Sequence, residues 1–292
     1  MLILKADGGV RLAGNEHFYQ YFKELRDAYP PQSIVLRAFY PGNTQVLNSF
    51  DTPAIFLADC HLPLIQLPGQ EGWTPRVLTF LRNEALDAKS IFLVGDLFDF
   101  WFEWRHSVPS AAFPVLAELS NLVRGGRRVV YLGGNHDGHV GKFLTDEVGI
   151  EISREAMDVE ISGKRFHIIH GDGIAPADHG YRMLRRMVRW PPTEAIYRMV
   201  HPDLGIWLAH KLSGVSREQF SSKVVWAPDS YRDYARRKIE EGFDCVVMGH
   251  RHEAERIEYG KGVFLAVGDW IRSGSYGYVG ESGIELKYFR LT

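Results

Sequence analysis

Cysteine is scarce in this chain. Cys60 and Cys245 are the two among 292 residues, each in or beside an apolar strand-like run, where a thiol is ordinarily buried and reduced. No disulfide framework and no CxxC pair can be drawn, which points to a reducing compartment. Long apolar runs are lacking too. No stretch approaches the roughly 18 residues that span a bilayer. The opening MLILKADGG breaks at Lys5 and Asp7 before a secretory core can form. A soluble or peripheral protein is expected. Excess charge of one sign is also missing. With 34 basic and 36 acidic residues the net charge is -2, so nothing draws the whole chain toward nucleic acid, and no such partner is expected. Internal repeats and low-complexity tracts are absent.

What the chain does have is a series of short apolar runs that end in polar clusters. They are AIFLADCH (54–61), SIFLVGDLFD (90–99), RRVVYLGGNHD (127–137), RFHIIHGDG (165–173), DCVVMGHRH (244–252) and VFLAVGDW (263–270). Continuous Val, Ile, Leu and Phe runs suit strands buried on both faces. Helical segments are predicted between the first three, from about Thr74 to Lys89 and from about Ser110 to Arg124, with GG at 125–126 as a stop. The alternation predicts an α/β fold, whose ligands sit at the carboxyl ends of strands. Residues 175–240 read as a helical insertion. Residues 1–50 read as an N-terminal extension of unassigned role, with a helix over 15–29 and a strand over 33–40. The main domain is expected over 51–292.

The strand ends carry the chemistry. They supply Asp59 and His61, then Asp96 and Asp99, then Asn135, His136 and Asp137, then His170, and last His250 and His252. Alone, each has an ordinary reading: a turn aspartate, a half-buried histidine, a solvated pair. Five successive strand ends do not share that reading easily. Carboxylates and imidazoles without thiolate suit Mn²⁺, Fe²⁺, Zn²⁺ or Mg²⁺. A carboxylate bridging through its two oxygens would hold two ions about 3.5–4 Å apart, activating a water for in-line attack on phosphorus. In an extended segment residues two apart point the same way, so His250 and His252 would both reach metal while Arg251 would not.

The blocks D-x-H, GD-x-x-D, GNHD, H and GH-x-H, in that order over 59–252, resemble the calcineurin-like metallophosphoesterases. The resemblance implies a four-layer α/β-β/α sandwich. It implies one metal held by Asp59, His61, Asp96 and His252, and a second held by Asp96, Asn135, His170 and His250, with Asp96 as bridge. His136 would protonate the leaving group or stabilise phosphoryl charge, and Asp137 would orient His136. Narrower stretches, DCHLP, GDLFDFWFEW, GNHDGHVGKF, HGDGIAPADHGYRMLRR and HPDLGIWLAHKLSGVSRE, are similar to the UDP-2,3-diacylglucosamine diphosphatases of lipid A synthesis, in their Bacteroidetes-like branch. That implies hydrolysis of a lipid-linked UDP-sugar to UMP and 2,3-diacylglucosamine 1-phosphate, with Mn²⁺ first among the candidate ions. It implies a cytoplasmic protein with peripheral contact to the inner membrane. In the best-described branch the third block reads G-N-R-D. Arginine clamps phosphate without moving protons, whereas His136 can do either.

Within the insertion, Arg182, Arg185, Arg186 and Arg189 share one helical face beside Met183 and Met187, and Leu204, Ile206, Trp207 and Leu208 follow. A basic face with an apolar neighbour suits a lid for acyl chains or a membrane surface. It also suits a plain amphipathic helix. Asn135, His136, Asp178, Arg182, Ser222 and Lys223 are the expected substrate contacts. WFEW (101–104) reads as wall or core. Other readings are a metallophosphoesterase for another nucleotide or a phosphoprotein, a nuclease, and a binding protein that has lost catalysis.

Overall fold

The computed structural model describes residues 2–4, 10–12, 48–137, 139–174, 190–221 and 228–290. The chain divides into two compact units, Met1–Val46 and Leu47–Thr292. In the first, β1 (Leu2–Leu4) and β2 (Val10–Leu12) pair antiparallel, Leu2 opposite Leu12. The helix expected over 15–29 and the strand over 33–40 lie outside the described residues. The larger unit opens before residue 51, because β3 (Asn48–Phe50) pairs with a strand of that unit.

All six apolar runs are strands. In chain order the larger unit contains β3, β4 (Ala54–Leu57), α1 (Trp73–Arg82), β5 (Ser90–Val94), α2 (Phe113–Arg124), β6 (Arg128–Leu132) and β7 (Glu151–Ser153). Then come β8 (Met157–Ile161), β9 (Lys164–Ile169), α3 (Pro191–Arg198), α4 (Pro202–Ser221), α5 (Pro228–Glu240) and β10 (Cys245–Met248). β11 (Ala254–Tyr259), β12 (Gly262–Val267), β13 (Ser275–Gly280) and β14 (Gly283–Tyr288) close it. Two six-stranded sheets form, in the orders β14-β13-β4-β5-β6-β7 and β11-β12-β10-β9-β8-β3.

Alternation along each run decides the layers. On β5, Ile91 and Leu93 face α1 and α2, while Phe92 and Val94 face the other sheet. On β10, Cys245 and Val247 face between the sheets, and Val246 and Met248 face α5. Both faces are dry, so the runs are apolar throughout. Between the sheets Phe56 stacks on Phe92 at 4.9 Å, and Phe50 tilts against Phe92 at 4.8 Å. The result is helix, sheet, sheet, helix: the four-layer arrangement expected.

Two helical expectations shift. The helix expected from Thr74 to Lys89 ends at Arg82, and a separate turn follows over Glu84–Asp87. α5 falls within the stretch read as an insertion, yet it is a core helix. Tyr231 and Ala235 are buried against Val246, Met248, Phe264 and Ala266. The arginines and lysine of its other face hid that apolar stripe. Among the described residues no helix is long and apolar enough to cross a membrane.

Candidate metal centre

The candidate residues follow the parallel strands. In one sheet β4, β5 and β6 run parallel, and in the other β9, β10 and β12 do. Asp59 and His61 follow β4, Asp96 follows β5, Asn135 and His136 follow β6, His170 follows β9, and His250 and His252 follow β10. Asp59, His61, Asp96 and His170 are buried; Asn135, His136, His250 and His252 are partly exposed and give the cluster its open side.

The backbone here is unusual. Asp59, His61, Asp96, His250 and His252 have φ of 50°, 43°, 54°, 66° and 57°; among the other described non-glycine residues only Ser162 has positive φ. Such conformations cost about 1–3 kcal/mol each and persist only where surroundings over-determine them. This corrects the extended geometry expected at 250–252. The strand ends at Met248, and the two histidines converge through left-handed turns. Around Asp96 glycine is required twice. A Cβ on Gly134 would lie 2.1 Å from Asp96 Oδ1, and one on Gly95, at φ 86°, would lie 2.3 Å from His170 Nδ1.

Two donor sets share one oxygen. In the first, Asp59 Oδ1 lies 3.7 Å from His61 Nε2 and 3.6 Å from His252 Nε2, and the two Nε2 atoms are 3.3 Å apart. In the second, Asn135 Oδ1 lies 3.1 Å from His170 Nε2 and 3.0 Å from His250 Nδ1. Asp96 Oδ2 touches both, 3.9 Å from His61 Nε2 and 3.4 Å from His170 Nε2. Asp96 Oδ1 accepts the His136 backbone N–H at 2.9 Å. Oδ2 is thus the Asp96 oxygen that faces both donor sets and would be the shared ligand, whereas the expectation was a bridge through both oxygens. Asp59 is split likewise: Oδ2 accepts the His250 N–H at 2.7 Å, and buried Oδ1 has no hydrogen-bond partner among the described residues. Metal–ligand bonds of roughly 2.0–2.2 Å set donors about 3 Å or more apart, so these donor sets fit divalent ions.

Outer partners fix the rings. His170 Nδ1 donates to the Val94 carbonyl at 2.8 Å, leaving Nε2 as the donor atom for metal. His61 Nδ1 lies 3.5 Å from Asp99 Oδ1, and His252 Nδ1 lies 3.6 Å from Asp269 Oδ2. His136 Nδ1 donates to the Asp99 carbonyl at 2.8 Å. Sequence reasoning collected Asp99 without a role and missed Asp269, although GDW (268–270) repeats the strand-then-GD pattern of GDL (95–97).

Asp137 is a correction. It does not orient His136. Its Oδ1 accepts the Gly134 N–H at 2.6 Å, and its Oδ2 accepts the Leu97 N–H at 2.9 Å and the Tyr131 hydroxyl. It ties the loop after β6 to the loop after β5, which keeps it from acting on substrate. Asp178, Arg182, Ser222 and Lys223 lie outside the described residues.

The chain's own charges set the protonation of the cluster. Burial opposes charge on His61, yet Asp59, Asp99 and Asp96 hold it up at about 10. His170 is raised well above its ordinary value, burial being outweighed by Asp96. Asp96 is held well below the usual carboxylate range, because the histidines His170, His136 and His61 overcome its burial. Burial, together with the charge of His170, pushes His250 down to about 4. Burial lowers His136 as well. Burial and the Asp96 charge push Asp137 up to about 6. The buried carboxylates that raise His61 and His170 supply the negative charge that draws cations, and a bound ion would take the place of the protons on those two rings.

WFEW was expected as wall or core, and it is buried, with Trp101 in the hydrophobic core. Trp101, Phe102 and Trp104 are buried, and Trp104 Nε1 donates to the Val200 carbonyl at 3.0 Å. Phe102 meets Tyr197 of α3 edge-on at 4.8 Å. Beyond that contact Trp190, Ile196, Met199, Leu204, Trp207 and Leu208 are exposed.

Comparison with known proteins places this arrangement. The family model described as calcineurin-like phosphoesterase matches residues 52–254. A UDP-2,3-diacylglucosamine hydrolase of Porphyromonas gingivalis is 29% identical over 248 residues, 76% of this chain and 91% of that protein. One of Pseudomonas savastanoi is 29% identical over 242 residues, 80% of this chain and 95% of that protein. One of Vibrio parahaemolyticus is 25% identical over 238 residues, 80% of this chain and 96% of that protein. A match over most of the chain, on a strand-end cluster of carboxylates and imidazoles in a four-layer sandwich, makes this chain a member of the calcineurin-like phosphoesterase family.

Proposed function

We propose that this chain is a metal-dependent hydrolase of UDP-2,3-diacylglucosamine, working with two divalent ions, Mn²⁺ first among the candidates. The observation that carries the reading is the pair of donor sets sharing Asp96 Oδ2. The substrate rests on the relatives, which match this chain over three quarters of its length or more. Asp59, His61, Asp96 and His252 would hold one ion; Asp96, Asn135, His170 and His250 would hold the other. When bound, the ions supply Lewis acidity toward phosphoryl oxygens and lower the pKa of water.

The rest belongs to the side chains. Water adds to the phosphorus on the uridine side, and the bond to the bridging oxygen breaks. UMP and 2,3-diacylglucosamine 1-phosphate separate. His136 spends its Nδ1–H on the Asp99 carbonyl, so Nε2 is the nitrogen left for phosphate. The departing group is a phosphate monoester, a good leaving group without a proton. The negative charge of a bound pyrophosphate favours a second proton on His136, and as imidazolium its Nε2–H would donate a hydrogen bond to the charge that grows on the phosphoryl oxygens. The exposed apolar side chains from Trp190 to Leu208 support contact with acyl chains and peripheral residence on the cytoplasmic membrane face. Arg182 and the other arginines of 182–189, with Asp178, Ser222 and Lys223, remain the proposed headgroup contacts.

The test is turnover of the purified protein with Mn²⁺. UDP-2,3-diacylglucosamine is offered beside bis-p-nitrophenyl phosphate. UMP release much faster than cleavage of the simple diester is expected. Cleavage of the diester alone would leave the family chemistry and remove this substrate.

A further inference from the structure

The residue between the two terminal histidines is not a solvated side chain. Arg251 is 2% exposed and among the largest fully buried side chains of the molecule. Its Nη1 donates to Glu255 Oε2 at 3.0 Å and its Nη2 to Glu253 Oε2 at 2.9 Å. Its guanidinium lies 5.7 Å from the centroid of the Tyr231 ring, and that ring lies 6.5 Å from the His250 ring. Glu255 is shared: Arg232 of α5 donates to both of its oxygens, from Nε at 3.2 Å and from Nη2. One guanidinium thus joins the turn 249–252 to α5 on one side and to β11 on the other.

The turn needs such a grip. The ladder of β10 ends at Met248, and both histidines beyond it are left-handed. Past the Gly249 N–H, which donates to His170 O at 3.0 Å, the turn's backbone bonds among the described residues are the Arg251 N–H to Gly249 O at 2.7 Å and the His250 N–H to Asp59 Oδ2 at 2.7 Å. His250 belongs to one donor set and His252 to the other, so any rotation of the turn disturbs both. The planar fork of arginine can hold two carboxylates while lying against an aromatic face; a lysine cannot do all three.

We infer that Arg251 is a positioning residue for both metal ions, holding His250 and His252 in their ligating geometry through Glu255, Glu253 and Tyr231. This rests on the two-ion reading above. Loss of a residue that orients ligands costs about 10–100-fold in metal affinity. Partners acting through one contact also fail to add.

The experiment titrates Mn²⁺ calorimetrically into chelator-stripped wild type, R251M, E255Q and the double variant, at a temperature where circular dichroism reports all four folded. Expected are tight binding by wild type, binding about 10–100-fold weaker in R251M, and a double variant little worse than the weaker single one. A purely structural arginine would lower the melting temperature and leave Mn²⁺ affinity of the folded protein alone. Should R251M fail to fold, R251K carries the same test: it grips one carboxylate at a time and is expected to bind Mn²⁺ several-fold more weakly. Affinity within twofold of wild type in the folded variants, or single losses that multiply in the double, would overturn the inference. Wild type that binds no divalent ion would instead overturn the two-ion reading, and this inference with it.

Discussion

His136 separates two kinds of phosphate chemistry. If its Nε2 mainly stabilises charge, arginine can stand in for it; if it mainly delivers a proton, arginine cannot. H136A is expected to lose about 10²–10³-fold in kcat, and H136R to recover most of that loss. Steady-state kinetics of the two variants decide it, and an H136R as poor as H136A would assign the proton role. The residues beneath it were legible to different depths. Asp59, His61, Asp96, Asn135, His170, His250 and His252 could be read because each follows an apolar run, and strand ends are where such sheets bind ligands. Asp269 was not found, and Asp137 was given the wrong neighbour, since a sequence does not say which carboxylate falls beside which ring. The left-handed backbone was equally hidden: nothing in a histidine or aspartate announces positive φ, as a glycine would.

Elements were legible where burial is complete on both faces. β4, β5, β10 and β12 are buried throughout for that reason, and β6 and β9 are apolar past Arg128 and past Lys164 and Arg165, with His167 interrupting β9. β11 was missed because it is an edge strand whose exposed side carries charge, in the sequence AERIEY. The layer between the sheets is the part of the core with least slack. Phe92 is fully buried there between Phe50 and Phe56, so F92A is expected to cost about 3–5 kcal/mol, read from urea denaturation. α5 is docked by a polar contact as well. His167 Nδ1 lies 2.6 Å from Asp158 Oδ1, and His167 Nε2 lies 2.8 Å from the Tyr234 hydroxyl. Burial holds the His167 pKa below its ordinary 6.5, against the pull of Asp158. The unfolded chain therefore takes up this proton first as pH falls. The stability that His167 contributes is complete above about 6.5 and is lost as pH drops through the lower, folded value. H167Q is expected to flatten the stability–pH curve across that window, measured by denaturant titration at stepped pH. An unchanged slope would remove His167 as its source.

For the whole molecule, fold and site are one problem. Three parallel strands from each sheet end at the same edge, and the left-handed residues there are stabilised only by what converges on them. Divalent ions that bind the folded chain and not the unfolded one add stability by mass action. Melting temperature is therefore expected to fall on chelation and to rise again with Mn²⁺ concentration. D96A is expected to abolish both that rise and turnover; a metal-replete D96A protein with near-normal rate would refute the shared Asp96 oxygen. The central claim is that water, directed by this cluster, enters at the phosphorus on the uridine side of a lipid-linked pyrophosphate. One turnover in oxygen-18 water, with both products weighed by mass spectrometry, tests it most directly. Label in UMP and none in 2,3-diacylglucosamine 1-phosphate is the expected result; label in the sugar phosphate, or no UMP at all, would contradict it.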